Sequence, residues 1–323
     1  MKMQSGLARL TALVAFAVIA ARGSTLAQES INQQCSLAVV SATADVKGQI
    51  CDLATVQRLA RSGYAFEQNQ LGIASILAIA PGMSEKDALA WFQKAAQRGY
   101  APAQVNLAVM YVNGWGTPVN YAAALHWLNS AASQHFPRAY YNLGILFLEG
   151  KGVRQDNTEA FRWFQQGANA GDSGAQTNLG YMYDMGLGCT RNVSTAAQWY
   201  RKAAEAGNPL GENNLADLYL RGQGVKQDDS EALHWFQHAA AQGHTGARIK
   251  LGYMYAQGKG TAHDAQAAYM WIKAAALAGD PRGNDVLHSL EKSLDPKQVA
   301  EADEQAAKLQ QPDVTITALR FAR

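Results

Sequence analysis

An all-α solenoid of stacked helix pairs, an α-α superhelix of right-handed sense, is the fold that this sequence predicts, and three observations predict it. Leu71, Leu107, Leu143, Leu179, Leu215, Leu251 and Leu287 follow one another at a constant step of 36 residues. Trp91, Trp127, Trp163, Trp199, Trp235 and Trp271 keep the same step, so six of the seven tryptophans obey one period. The pentapeptide LGYMY occurs at 179–183 and again at 251–255, two periods apart. Self-similarity at a fixed period with no insertion is the mark of a repeat array, in which each unit buries its apolar face only against its neighbours.

The array does not begin at the N-terminus. Lys2 and Arg9 precede an apolar run, LTALVAFAVIAA, which ends near the small residues around Ala27. Residues 1–27 are therefore expected to be a secretory signal, since the run is too short for a stable membrane span. The mature protein is then expected to be soluble, monomeric and periplasmic or secreted, with no other membrane span. Residues 28–65 form an N-terminal capping segment, in which 51–63 read as a second helix that kept Ala60 and Gly63 and lost its tryptophan. Cys35 and Cys51, sixteen residues apart, are a candidate disulfide in that oxidising compartment.

Residues 66–280 hold six units of 36 residues, each read as two helices. Ala103, Leu107, Met110 and Tyr111 recur at spacings of three and four, as do Ala124, Trp127, Leu128 and Ala131, so each set makes one apolar face. Gly114/Gly116 and their copies in the next four units lie between the helices, where glycine ends the first and permits positive φ. The second helix opens at Ser84, Asn120, Asp156, Asn192, Asp228 and Asp264, all preferred N-caps, and Asp156/Glu159 and Asp228/Glu231 have capping-box spacing. It ends at Gly99, Gly171, Gly207, Gly243 and Gly279, a column that His135 interrupts. Alanine fills two columns, 88 to 268 and 96 to 276, which lets helix backbones approach closely, with the tryptophans read as core beside them. Cys189 stands where Val153 and Val225 stand in other units, and reads as a buried, inert thiol. Residues 281–311 become a polar helix pair, a C-terminal cap, and 312–323 are a tail.

From Ala139 through Leu143-Gly144, Gly150, Gly152, Val153, Asp156, Ala160, Trp163-Phe164 and Ala168 to Gly171 the chain resembles the Sel1-like repeat, a relative of the tetratricopeptide repeat. The resemblance covers residues 66–280 and implies an exported bacterial scaffold that binds a protein or an extended peptide, in cell-envelope regulation or signalling.

In such an array function is expected on a stripe of the first helices, at 102, 106, 109 and 113 and their copies. One column is Asn106, Asn142, Asn178, Asn214 and Lys250, and its amides either offer donor and acceptor to a peptide backbone or belong to the repeat consensus and bond within or between helices. Tyr181, Tyr253 and Arg221 lie in the variable columns beside it and are the expected side-chain contacts, because aromatics and arginine dominate interface energetics. Trp115, out of register in a loop, is the remaining candidate anchor, unless it folds back over its own repeat. The partner-binding set is thus Asn142, Asn178, Asn214, Lys250, Tyr181, Tyr253, Arg221 and Trp115.

Other classes are weaker. A net charge of +2 over 323 residues, with no basic cluster, gives no footprint for nucleic acid, and 48% hydrophobic residues argue against disorder. Some relatives carry a β-lactamase or penicillin-binding label, which makes a β-lactam hydrolase the alternative reading. Ser289-Leu290-Glu291-Lys292 matches S-x-x-K, but neither S-D-N nor K-T-G accompanies it. His234 and His238 have the i,i+4 spacing of a zinc pair without the glutamate of a metalloprotease helix. No catalytic residue, metal or cofactor is expected.

Overall fold

The computed structural model describes residues 53–76 and 82–310. The expected signal peptide, the Cys35–Cys51 pairing and the tail 312–323 lie outside them. Fifteen α-helices and one 3-10 turn, with no strand, make up the described residues, and consecutive helices pack in pairs, which is the all-α solenoid that the period predicts.

The chain divides at Asp156/Asn157 into two compact units. The first contains α1 (Leu53–Arg61), α2 (Ala65–Ile76), α3 (Glu85–Gln97), α4 (Ala101–Asn113), α5 (Tyr121–Ser133) and α6 (Pro137–Glu149). The second contains α7 (Asn157–Asn169), α8 (Ser173–Met185), α9 (Val193–Glu205), α10 (Pro209–Arg221), α11 (Asp229–Ala241), α12 (Thr245–Gln257) and α13 (Ala265–Leu277). It ends with the 3-10 turn Pro281–Gly283, α14 (Asn284–Glu291) and α15 (Pro296–Lys308). α2 and α4 in the first unit, and α8, α10 and α12 in the second, are the first helices of their pairs, and α6 opens its repeat in the same way. Within each unit they also touch one another, α4 against α6 and α8 against α10.

The helix boundaries follow from local chemistry. Asn120, Asn192, Asp228 and Asp264 each accept a backbone N–H of the first helical turn at 2.9–3.1 Å, the expected capping role. The capping box is formed by Ser84 and Asp87. At the Asp228 start Glu231 instead accepts from the Trp235 indole N–H at 3.3 Å. At the other end His135 adopts φ 57°, the left-handed conformation of the glycines it replaces, and its Nδ1 lies 3.1 Å from the Tyr140 hydroxyl.

Glycine is required at two kinds of place. Gly188 has φ +68°, and a Cβ there would fall 2.2 Å from the Asn157 carbonyl oxygen, so its loop sits against the start of the second helix one repeat earlier. Gly180, inside α8, would carry a Cβ 2.7 Å from the Tyr200 ring. A small residue on the first helix thus receives a large one from the second.

That large residue is not the tryptophan. All six repeat tryptophans are half-buried, whereas the next residue in each helix, Phe92, Leu128, Phe164, Tyr200, Phe236 or Ile272, is at most 3% exposed. One helical step of 100° turns the second position onto the small-residue column, and leaves the indole lying along the surface. There Lys94 and Lys202 stack on Trp91 and Trp199 at 4.3 and 4.1 Å. The alanines at 88, 124, 160, 196, 232 and 268 are fully buried as expected; in the other column Ala276 is only half-buried. Cys189 is half-buried rather than buried; its Sγ is 3.6 Å from the Met182 carbonyl oxygen, and burial pushes the thiol pKa up, away from reactivity.

Candidate functional site

A column that the sequence reading passed over ties the pairs together. Gln68, Gln104, Tyr140, Gln176 and Arg248 each donate to the backbone carbonyl eight residues earlier, at Ala60, Ala96, Ala132, Ala168 and Ala240, over 3.0–3.3 Å. A buried donor on each of these five first helices therefore satisfies a carbonyl in the last turn of the preceding second helix, where four carbonyls lack intrahelical partners. The signal was present in the sequence as a column without aliphatic residues. Glu212 cannot donate in its ionised form, and here accepts from Gln242 at 2.8 Å.

The asparagine column is less exposed than its place on the expected stripe implies. Asn106 is buried and donates to Asn69 on the neighbouring first helix at 2.9 Å. Asn142 is buried too, and donates to the Arg138 carbonyl at 2.8 Å. Asn178 is half-buried and donates to the Gly174 carbonyl at 3.0 Å. Each of these last two bonds fixes which end of the amide is nitrogen, because only nitrogen donates to a carbonyl. Asn214 accepts from Asn213 at 3.1 Å and holds the phenol of the buried Tyr200, whose pKa burial pushes up. Lys250 is half-buried between Asn213, at 3.2 Å, and an ion pair with Asp217. Positions 102 and 109 also turn inward in the first unit, where Pro102 and Val109 are buried, and Arg138 is buried with them.

The variable columns remain on the surface in the second unit. Tyr181 is 41% and Met185 56% exposed, one turn apart on α8. Arg221 is exposed at the end of α10, in register with Met185, and makes no hydrogen bond or ion pair with the described residues. Tyr253 is half-exposed on α12. Tyr181, Asn178, Asn214, Arg221, Lys250 and Tyr253 therefore share the first-helix face of one unit. Trp115 does not belong to any such surface. It is 9% exposed and sits in one cluster with Ile73 and Phe92 from the preceding helices and Leu107 and Met110 of its own repeat, so the loop folds inward and the expectation of an exposed anchor is corrected.

His244 adds a titratable element beneath this face. It caps α12 by accepting the Ala247 N–H at Nδ1 over 3.0 Å, which only an unprotonated Nδ1 can do. Burial lowers its pKa from the ordinary 6.5, Lys250 and Arg282 lower it further, and Asp217 opposes them. A depressed folded-state value means that the cap contributes fully above about pH 6.5 and is lost as pH falls below it. His244→Asn should keep the cap, as Asn208 does for α10, and remove its titration. The melting-temperature difference between pH 7.5 and pH 5 should shrink by an amount equivalent to about 1 kcal/mol; an unchanged difference would mean that the cap does not titrate.

The weaker motifs find no chemical setting. Ser289 and Lys292 are both exposed, on α14 and just after it. His234 and His238 are exposed with ring centroids 4.6 Å apart, and no group of three metal-ligating side chains exists among the described residues. No described helix is long and apolar enough to cross a membrane.

Comparison with known proteins agrees with the period. The profile of the Sel1 repeat family matches residues 84–100, 101–136, 137–172, 173–208, 209–244 and 246–280. A crystal structure of a protective antigen present in uropathogenic Escherichia coli strains, displaying an SLR fold, is 32% identical with a TM-score of 0.63 over 81% of this chain. The match spans 57% of that antigen's length. A Sel1 repeat protein from Oxalobacter formigenes is also 32% identical, with a TM-score of 0.63, and covers 67% of this chain and 89% of its own. No curated protein matches the chain. Repeats of this kind typically serve as protein-interaction modules. With the profile matching more than half of the residues in register with the helix pairs, the chain belongs to the Sel1 repeat family.

Proposed function

We propose that the chain is an exported, monomeric scaffold that binds a protein partner through the first-helix face of its second unit, in regulation or signalling at the cell envelope. The observation that carries this reading is the exposed Tyr181–Met185 pair with Arg221, which is without an ion pair among the described residues, in columns that vary beside the strict leucine and alanine columns. Large exposed side chains gain nothing for an isolated fold and supply anchors for an interface. Export is supported by the sequence of residues 1–27.

The test is capture from envelope extract with the mature chain and with Tyr181→Ser/Met185→Ser, both shown to melt alike. A partner retained by the unmodified chain and lost, by tenfold or more in affinity, from the variant is the expected result. Equal retention by both would move the interface off this face.

A further inference from the structure

The partner's chemistry is also written on this face, and the inference rests on the reading just given. We infer that the face takes a segment of polyproline-II conformation in which an apolar residue and an acidic residue stand three positions apart.

Asp217 and Lys250 neutralise each other, and Asp184 is paired with Arg191 at 3.7 Å. Arg221 is the exposed cation that remains, so the uncompensated charge on the face is positive. Asn178 has committed its nitrogen to Gly174, which leaves Oδ1 to accept from a partner's backbone N–H. Tyr181 and Met185 give an aromatic and a flexible thioether surface, suited to an apolar or proline side chain.

Spacing then selects the conformation. Met185 and Arg221 occupy the same register on α8 and α10, which are packed side by side. Packed helix axes lie about 8–10 Å apart. A segment crossing them must set two side chains on one side at that separation. In a β-strand, same-side residues recur at roughly 6.6 Å or 13 Å, and neither fits. In polyproline II, residues i and i+3 share a side at about 9.3 Å, which does. Such a segment also leaves its N–H groups unbonded, available to Asn178.

The experiment is selection of a randomised nonapeptide display library against the whole chain, the Arg221→Glu variant and the Tyr181→Ala variant. Both positions are exposed, so thermal melts should be unchanged. The expected peptides carry Asp or Glu three residues from an apolar or proline residue, bind Tyr181→Ala at least tenfold more weakly, and are replaced by Lys- or Arg-bearing peptides on Arg221→Glu. Peptides that need Tyr181 but show no charge preference, or none that switches, would overturn this inference and leave the binding face standing. Peptides indifferent to Tyr181, or no enrichment at all, would overturn both.

Discussion

Replacing Arg248 by methionine is expected to detach the C-terminal cap, with a local loss of about 3–5 kcal/mol, the scale seen when a buried charge network is broken. Arg248 is 3% exposed, and its guanidinium donates Nε to the Ala240 carbonyl, one terminal nitrogen to Ala274 and the other to Leu309, at 3.0–3.1 Å. Those carbonyls belong to the last turns of α11 and α13 and to the residue capping α15. Three converging helix C-termini supply negative potential to a cation that has no carboxylate partner in these bonds. Burial still lowers the arginine pKa, a sign of the desolvation cost that those carbonyls offset. The remaining polar ties of α15 and its cap to α13 are the Lys273–Asp303 ion pair at 2.9 Å, the Tyr269–Asp303 bond at 3.2 Å, the bond from Gln266 to Glu301 at 3.2 Å and the bond from Gln310 to Ala274 at 2.7 Å. Hydrogen exchange should therefore show 296–308 losing protection while 209–241 keep theirs. Arg248→Lys, with one ammonium in place of a three-way fork, should recover only part of the loss. Unchanged protection at 296–308 would mean that these lesser ties suffice.

Phe236→Ala should cost roughly 3–5 kcal/mol, and Trp235→Ala less than half as much. Phe236 is fully buried in the cluster that includes Leu215, Ala216, Leu251 and Met254, with Lys250 lying 5.4 Å above its ring. Trp235 is half-buried, and touches that cluster from the outside. Urea melts of the two variants decide the matter. Equal losses, or a larger one at Trp235, would return the tryptophan to the role that its regular spacing suggests.

The tryptophan column shows where the sequence was informative and where it misled. Its 36-residue step was enough to establish the repeat, the helix pairs and their caps, because period and capping are local properties. Burial is not local. Trp235 and Phe236 differ by one helical step, and only the position of the facing small residue on the first helix decides which of them goes inside. For Trp115 spacing left an exposed and a folded-back reading open, since part of its cover comes from Ile73 and Phe92, more than twenty residues away. The asparagine column was legible as polar, but the direction of each amide depends on a carbonyl four residues earlier or on the adjacent helix, which spacing does not reveal. Arg248 could have been recognised, because its column carries no aliphatic residue in six copies; the pattern was outweighed by the leucine stripe beside it. Tyr181, Tyr253 and Arg221 were found by variation within a strict array, and each retains surface in the folded chain.

The claim that the first-helix face carries the function is tested most directly by a photo-crosslinking residue placed at Tyr181 in the full-length chain in its own cells, beside a control at the exposed Gln198 on α9. A discrete covalent adduct from position 181 and none from 198, with the adduct lost on Arg221→Glu, is the expected result. Adducts from 198 alone would contradict it and place the working surface on the second helices.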